Sequence, residues 1–149
     1  MTILGAEALR RKLEELAAKI GKGGTVRVGF LEGATYPDGT SVALVAAINE
    51  FGAPSRGQPP RPYFRNMIAK NSASWPAAAE INLKATDYNI EQTLNRIGEG
   101  IKGQLQQSIV DLTEPPLAPS TIKRKGHDKP LIDTSHMLNS VDYEVKVED

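Results

Sequence analysis

Histidine is the side chain best suited to proton transfer near neutral pH, and this chain holds two, His127 and His136. Asp128 and Asp133 stand near them and Ser135 adjoins His136, so the residue types of a nucleophile, a base and an orienting acid are all present. The surroundings do not support that chemistry. No strand–turn–helix glycine pattern frames the serine, and a metal site would want a third ligand at regular spacing. The histidines therefore read as a loop residue and the polar face of a short helix, with hydrolysis through His127 or His136 kept as a rival. The absence of cysteine removes thiolate metal sites, disulfides and cysteine nucleophiles. The expectation is no catalytic residue, no metal ligand and no cofactor.

Gly21-Lys22-Gly23-Gly24-Thr25 has a faint likeness to a phosphate-binding loop. Such a loop follows a strand and opens a helix, so that a helix N-terminus faces the phosphate. Here the order is reversed, and a plain helix-to-strand turn is expected. Lys123-Arg124-Lys125-Gly126-His127-Asp128-Lys129 is a basic cluster in a chain whose 18 Lys and Arg balance 18 Asp and Glu. Clustered cations can contact a phosphate backbone without net charge, so Lys123, Arg124 and Lys125 are the candidate DNA-facing residues. No aromatic side chain is interleaved to stack on bases, and a solvated turn is the preferred reading. Pro59-Pro60-Arg61-Pro62 is stiffened by three prolines, which favour an extended path. Arg61 is held between them, and its planar fork suits carboxylates or backbone carbonyls.

Those residues need elements to position them. Leu9, Leu13, Leu16 and Ile20 recur at four, three and four residues, which predicts an amphipathic helix over Ala6–Ile20 capped by Gly21. Alternation of Val26, Val28 and Phe30 with Arg27 predicts a strand over Thr25–Leu31. Gly33–Ser41, with Pro37-Asp38-Gly39, is a turn or loop. Val42–Phe51 is alanine-rich and apolar on most sides, so a short buried helix is expected, closed by a left-handed Gly52. Pro62 fits the first position of the next helix, with an interruption near Trp75-Pro76 and a continuation to Leu83. Ile90, Leu94, Ile97, Ile101, Leu105 and Ile109 form one long stripe and predict the clearest helix, Tyr88–Leu112. Gly98, Gly100 and Gly103 cost that helix roughly 1 kcal/mol each unless another element packs closely there. A short helix over Thr134–Asn139, capped by Asp133, precedes a strand over Val141–Val147, where valine and tyrosine alternate with charged residues.

The 149 residues suit a single α+β domain: a small, mainly antiparallel sheet packed on a long helix, with several shorter helices. Two proline-rich loops, about 53–61 and 112–130, are expected to project as arms. No apolar run approaches the length of a membrane span, and the N-terminus lacks the order of a signal peptide, so no membrane partner or export is expected.

Val45-Ala46-Ala47-Ile48-Asn49-Glu50-Phe51-Gly52, followed by Pro59-Pro60-Arg61-Pro62-Tyr63-Phe64-Arg65, resembles a signature of small tailed-phage proteins of the neck and tail-completion type. The second half agrees, in Pro116-Leu117-Ala118-Pro119 through Gly126, in Lys129-Pro130-Leu131-Ile132-Asp133-Thr134, and in Met137-Leu138-Asn139-Ser140. The resemblance spans about Val26 to Val147. It implies a non-enzymatic virion component, made in the host cytoplasm, that joins the head–tail junction around the DNA passage. The implied partners are further copies of the chain in a closed ring, a hexamer ahead of a dodecamer, together with neighbouring connector and tail proteins and non-specific contact with passing DNA. Arg61, Pro60, Tyr63, Pro116 and Pro119 are the expected contact residues. The alternative is a nucleic-acid-binding accessory protein using the 123–129 cluster.

Overall fold

A computed structural model describes residues 4–112 and 135–149. Within them the architecture is α+β, a two-stranded antiparallel sheet lying on one long helix. In chain order the elements are α1 (Leu4–Ile20), β1 (Gly24–Phe30), α2 (Val42–Phe51), α3 (Tyr63–Asn71), α4 (Trp75–Ala85), α5 (Ile90–Asp111), α6 (His136–Asn139) and β2 (Val141–Val147).

The strands pair from Gly24 with Val147 to Phe30 with Val141. This register stacks Val26 on Val145 and Val28 on Tyr143, so the half-buried residues of both strands share the face that meets α5. Arg27 and Glu144 meet on the open face, 3.5 Å apart. The α5 stripe works as the sequence predicts: Leu94, Leu105 and Ile109 are buried, while Ile97 and Ile101 are half-buried. The core gathers Val42 and Ala46 of α2, Tyr63 and Met67 of α3, Leu105 and Ile109 of α5, Met137 of α6 and Val141 of β2.

Several boundaries differ for physical reasons. α5 cannot begin at Tyr88, because Asp87 and Tyr88 both hold left-handed backbone angles, φ 52° and 63°. It begins after Asn89, whose side chain accepts the Gln92 N–H at 2.9 Å. The break expected near Trp75-Pro76 falls earlier, at a 3₁₀ turn over Ser72–Ser74, and Pro76 lies in the first turn of α4. Proline acts there as a helix starter, since its missing N–H is one a first turn does not use. Likewise Pro62 precedes α3 rather than opening it. Gly21 caps α1 as expected, its N–H donating to Ala17 O at 2.9 Å with φ 62°. Residues 21–23 make the helix-to-strand turn, and Gly24 and Thr25 already pair in β1.

The α5 glycines divide. A Cβ at Gly98 would stand 2.8 Å from Tyr143 Cγ, so this glycine lets β2 close on the helix. Gly100 has open space and Gly103 likewise, so close packing explains only the first of the three. Gly98→Ala should cost about 2 kcal/mol through overpacking. Gly100→Ala should stabilise by up to about 1 kcal/mol through helix propensity. Melting temperatures moving in opposite directions check this, and equal shifts would count against the seating of Tyr143 on α5.

Two helices present apolar surface to solvent. α1 has no extensive packing on another described element: Leu9 and Leu13 are 60% and 56% exposed, while Leu16 and Ile20 are half-buried. Lys19 ties its last turn to the body, with Nζ 2.7 Å from Asp87 Oδ2. That hydrogen bond holds the ammonium above and the carboxyl below their ordinary values. α2 is not buried all round as expected: Val42, Ala46 and Glu50 face inward, while Leu44, Ala47 and Phe51 face solvent.

Candidate functional site

The two first-half stretches of the phage-protein resemblance, 45–52 and 59–65, fold into one bracket, made by the end of α2, the connection 52–62 and the start of α3. Gly52 turns the chain, with φ 78° and ψ 177°. The positive φ is as expected, but this ψ lies outside the left-handed helical region, in space that only glycine enters readily. A Cβ there would also stand 2.8 Å from both Gln58 O and Pro60 N. Ala53 and Gln58 then pair back to back, Ala53 N–H donating to Gln58 O at 2.9 Å and Gln58 N–H to Ala53 O at 3.1 Å. A 3₁₀ turn over Pro54–Arg56 closes between them. The 53–61 segment is therefore folded on itself, not extended as an arm. Its return is fastened to α2 where Arg61 N–H donates to Asn49 O at 2.7 Å and Gln58 Nε2 donates to Asn49 Oδ1 at 3.3 Å.

Glu50 is the keystone. Its buried carboxylate accepts Phe64 N–H at 2.9 Å and Arg65 N–H at 3.3 Å, two donors of the first turn of α3 that have no intrahelical partner. The same group accepts Arg65 Nε at 2.7 Å. Arg65 Nη2 returns to the Glu50 carbonyl at 3.2 Å, and the guanidinium lies 5.5 Å from the Phe51 ring centre. The negative charge also suits the positive end of the α3 dipole.

Tyr63, expected as a partner contact, is 1% exposed and belongs to the core of this chain. Its hydroxyl donates to Ala46 O at 2.9 Å, and Phe30 meets its ring edge-on at 6.3 Å. Burial, helped by the Glu50 charge, pushes the phenol well above its ordinary value, so it stays a neutral donor. Pro60 is exposed. Arg61 is 9% exposed, and its Nε has no hydrogen-bond partner. Burial pushes its guanidinium below the ordinary value, and it has no ion pair among the described residues. His136 Nε2 lies 2.7 Å from Thr35 O, so that nitrogen is the donor and is occupied by backbone. The Tyr36 ring lies 4.9 Å from the imidazole. Pro116, Pro119, Lys123, Arg124, Lys125 and His127 lie outside the described residues, as does nearly all of the 112–130 arm. No group of three or more metal-ligating side chains occurs among the described residues, and no described helix is long and apolar enough to cross a membrane.

Above the bracket an open apolar groove of about 300 Å³ runs between β1, α2 and α3, lined by Phe30, Ala43, Ala47, Phe51 and Phe64. Phe51, at its rim, is 67% exposed. Compared with known proteins, the chain matches no family model, no curated protein and no solved structure.

Proposed function

We propose that this chain is a structural subunit of a tailed-phage virion, a neck or tail-completion protein that forms part of a closed ring at the head–tail junction, around the passage for DNA. One observation carries the reading. Two of the sequence stretches that resemble such proteins, 45–52 and 59–65, are hydrogen-bonded into a single bracket, and that bracket spends its polar groups on bracing itself while displaying an apolar groove. Ring subunits need this property, a stiff patch that each copy offers to the next. An open apolar groove beside an exposed Phe51 is a surface that a partner could cover. The ring reading assigns no catalytic residue and no cofactor. Copies of the chain, adjoining connector and tail proteins, and the passing DNA are its partners.

Arg61 supplies the sharpest test within the bracket. A nearly buried guanidinium without a carboxylate is costly to hold, and a carboxylate from a neighbouring subunit would offset that cost. Arg61→Met keeps the length and removes the charge. The variant should melt at or above the wild-type temperature, by the equivalent of about 1 kcal/mol, yet fail to enter particles or rings. Loss of folding would reassign Arg61 to internal bracing, and normal assembly would remove it from the interface. If the chain instead binds DNA as a monomer, with affinity falling steeply as salt rises, the accessory-protein reading through Lys123, Arg124 and Lys125 gains the lead.

A further inference from the structure

The corner between α4 and α5 is built from residues that its backbone does not favour. α4 ends in a Schellman turn, with Tyr88 N–H donating to Leu83 O at 2.7 Å and Asp87 N–H to Lys84 O at 3.2 Å. Asp87 takes the left-handed position of that turn, φ 52°, where glycine fits most easily, and Tyr88 follows at φ 63°. A bulky residue in this region is strained. Beneath the corner the Thr86 and Thr93 hydroxyls lie 2.7 Å apart, and Thr93 Oγ1 donates to Asn89 O at 2.7 Å. The corner is therefore pinned from below, and it displays the exposed Asp87 carboxylate to Lys19 of α1 at 2.7 Å.

α1 is held at one end. Its covalent link to β1 is Gly21-Lys22-Gly23, where both glycines take positive φ, 62° and 82°, and a Cβ on either would meet nothing within 4 Å. The sheet side of this link is fixed, since Glu148 N–H donates to Gly23 O at 3.0 Å. The helix side is closed by the Gly21 N–H on Ala17 O. Gly21 and Lys22 are left as a pivot between two ordered pieces, the arrangement of a hinge. Among the described residues, Lys19–Asp87 is the one side-chain bond that α1 makes outside itself. The charge of Lys12, about two turns back, also acts on that carboxylate. Glu15 lies 3.7 Å from Lys19 Nζ on the same helix, so the ammonium keeps a partner wherever the helix stands.

We propose that α1 is a latched arm, which swings about Gly21 and Lys22 and is held against the α4–α5 corner by the Lys19–Asp87 bridge. An exposed ion pair shifts such a balance only a few-fold, and salt screens it, so the latched and free positions both lie within reach. The swing decides how much apolar surface the chain shows. Leu16 and Ile20, half-buried in the latched position, join Leu9 and Leu13 in solvent when the arm is free. No second copy enters this device, so it stands or falls apart from the ring.

The chain has no native cysteine, so two nitroxide labels can be placed without background. Ala8→Cys on α1 and Glu99→Cys on α5 both replace exposed side chains. Ala8 lies about 20 Å from Gly21 along the helix, so a swing of about 30° carries its label about 10 Å. Pulsed EPR distances are read on the labelled full chain diluted in excess unlabelled chain, which removes distances between copies. At low salt the chain with Asp87 should show one dominant distance. Asp87→Asn removes the charge and keeps a residue that tolerates the left-handed region. It should lower the share of that distance about threefold relative to the rest, with circular dichroism and melting unchanged. Salt at about 1 M should do the same to the chain with Asp87 and leave Asp87→Asn unmoved. A dominant distance that survives in Asp87→Asn overturns the latch, as does an equal salt response in both chains. Distances already spread at low salt with Asp87 in place overturn it too. Loss of helical signal in Asp87→Asn would mean that α1 melts where it should swing, and overturns the arm.

Discussion

Tyr63→Ala should destabilise the chain by about 4 kcal/mol, a large part of the 5–15 kcal/mol that typically holds a domain together. The Tyr63 side chain is among the largest fully buried ones and joins two elements to α3, its hydroxyl donating to Ala46 O of α2 and its ring meeting Phe30 of β1, while Ser108 of α5 donates to the Tyr63 backbone carbonyl. Removing it leaves a cavity where sheet, groove floor and long helix meet, and none of them can collapse without moving the others. Tyr63→Phe separates packing from hydrogen bonding. It removes only the 2.9 Å bond to Ala46 O and should cost about 1 kcal/mol. Urea unfolding with an unchanged slope and a lowered midpoint would confirm both values. A Tyr63→Ala chain as stable as wild type would mean that the residue is a surface contact after all.

Glu50→Ala should cost about 3 kcal/mol. The substitution strands Phe64 N–H and Arg65 N–H at the mouth of α3 and releases Arg65 from the buried carboxylate. Arg65 is largely exposed and can turn to water, so most of the loss comes from the two backbone donors. Glu50→Gln keeps one accepting oxygen for the helix but faces Arg65 with a donor, and should fall between. Hydrogen exchange locates the effect: amides at the start of α3 should exchange faster in Glu50→Ala while the β1–β2 amides keep their order of protection. Uniform loss of protection would show that the bracket is not a separable unit.

The parts of this fold legible in the sequence are those where one periodicity decides. α5 and β2 fall where the isoleucine stripe and the valine alternation put them, because each has a single buried face. What escapes is settled between distant residues. Asp87 and Tyr88 take left-handed angles that their types do not announce. Pro76 looks like a stop and acts as a start, since its sign depends on where the preceding turn ended. The alanines of α2 say that something will pack on them, but not whether it belongs to the same chain, and half of that helix proves open. At the candidate site the Pro–Arg–Pro stretch points to Arg61 and Tyr63, yet Tyr63 is core and the organising group is Glu50. The signal for it is the one charged residue in α2, standing just before Phe51-Gly52.

Native mass spectrometry of the full chain across a range of concentrations tests the central claim most directly. The account predicts one closed species of fixed stoichiometry, at six times 16.1 kDa or about 97 kDa for the favoured hexamer. A chain that stays at 16.1 kDa throughout, or a ladder that lengthens without limit as concentration rises, would contradict it.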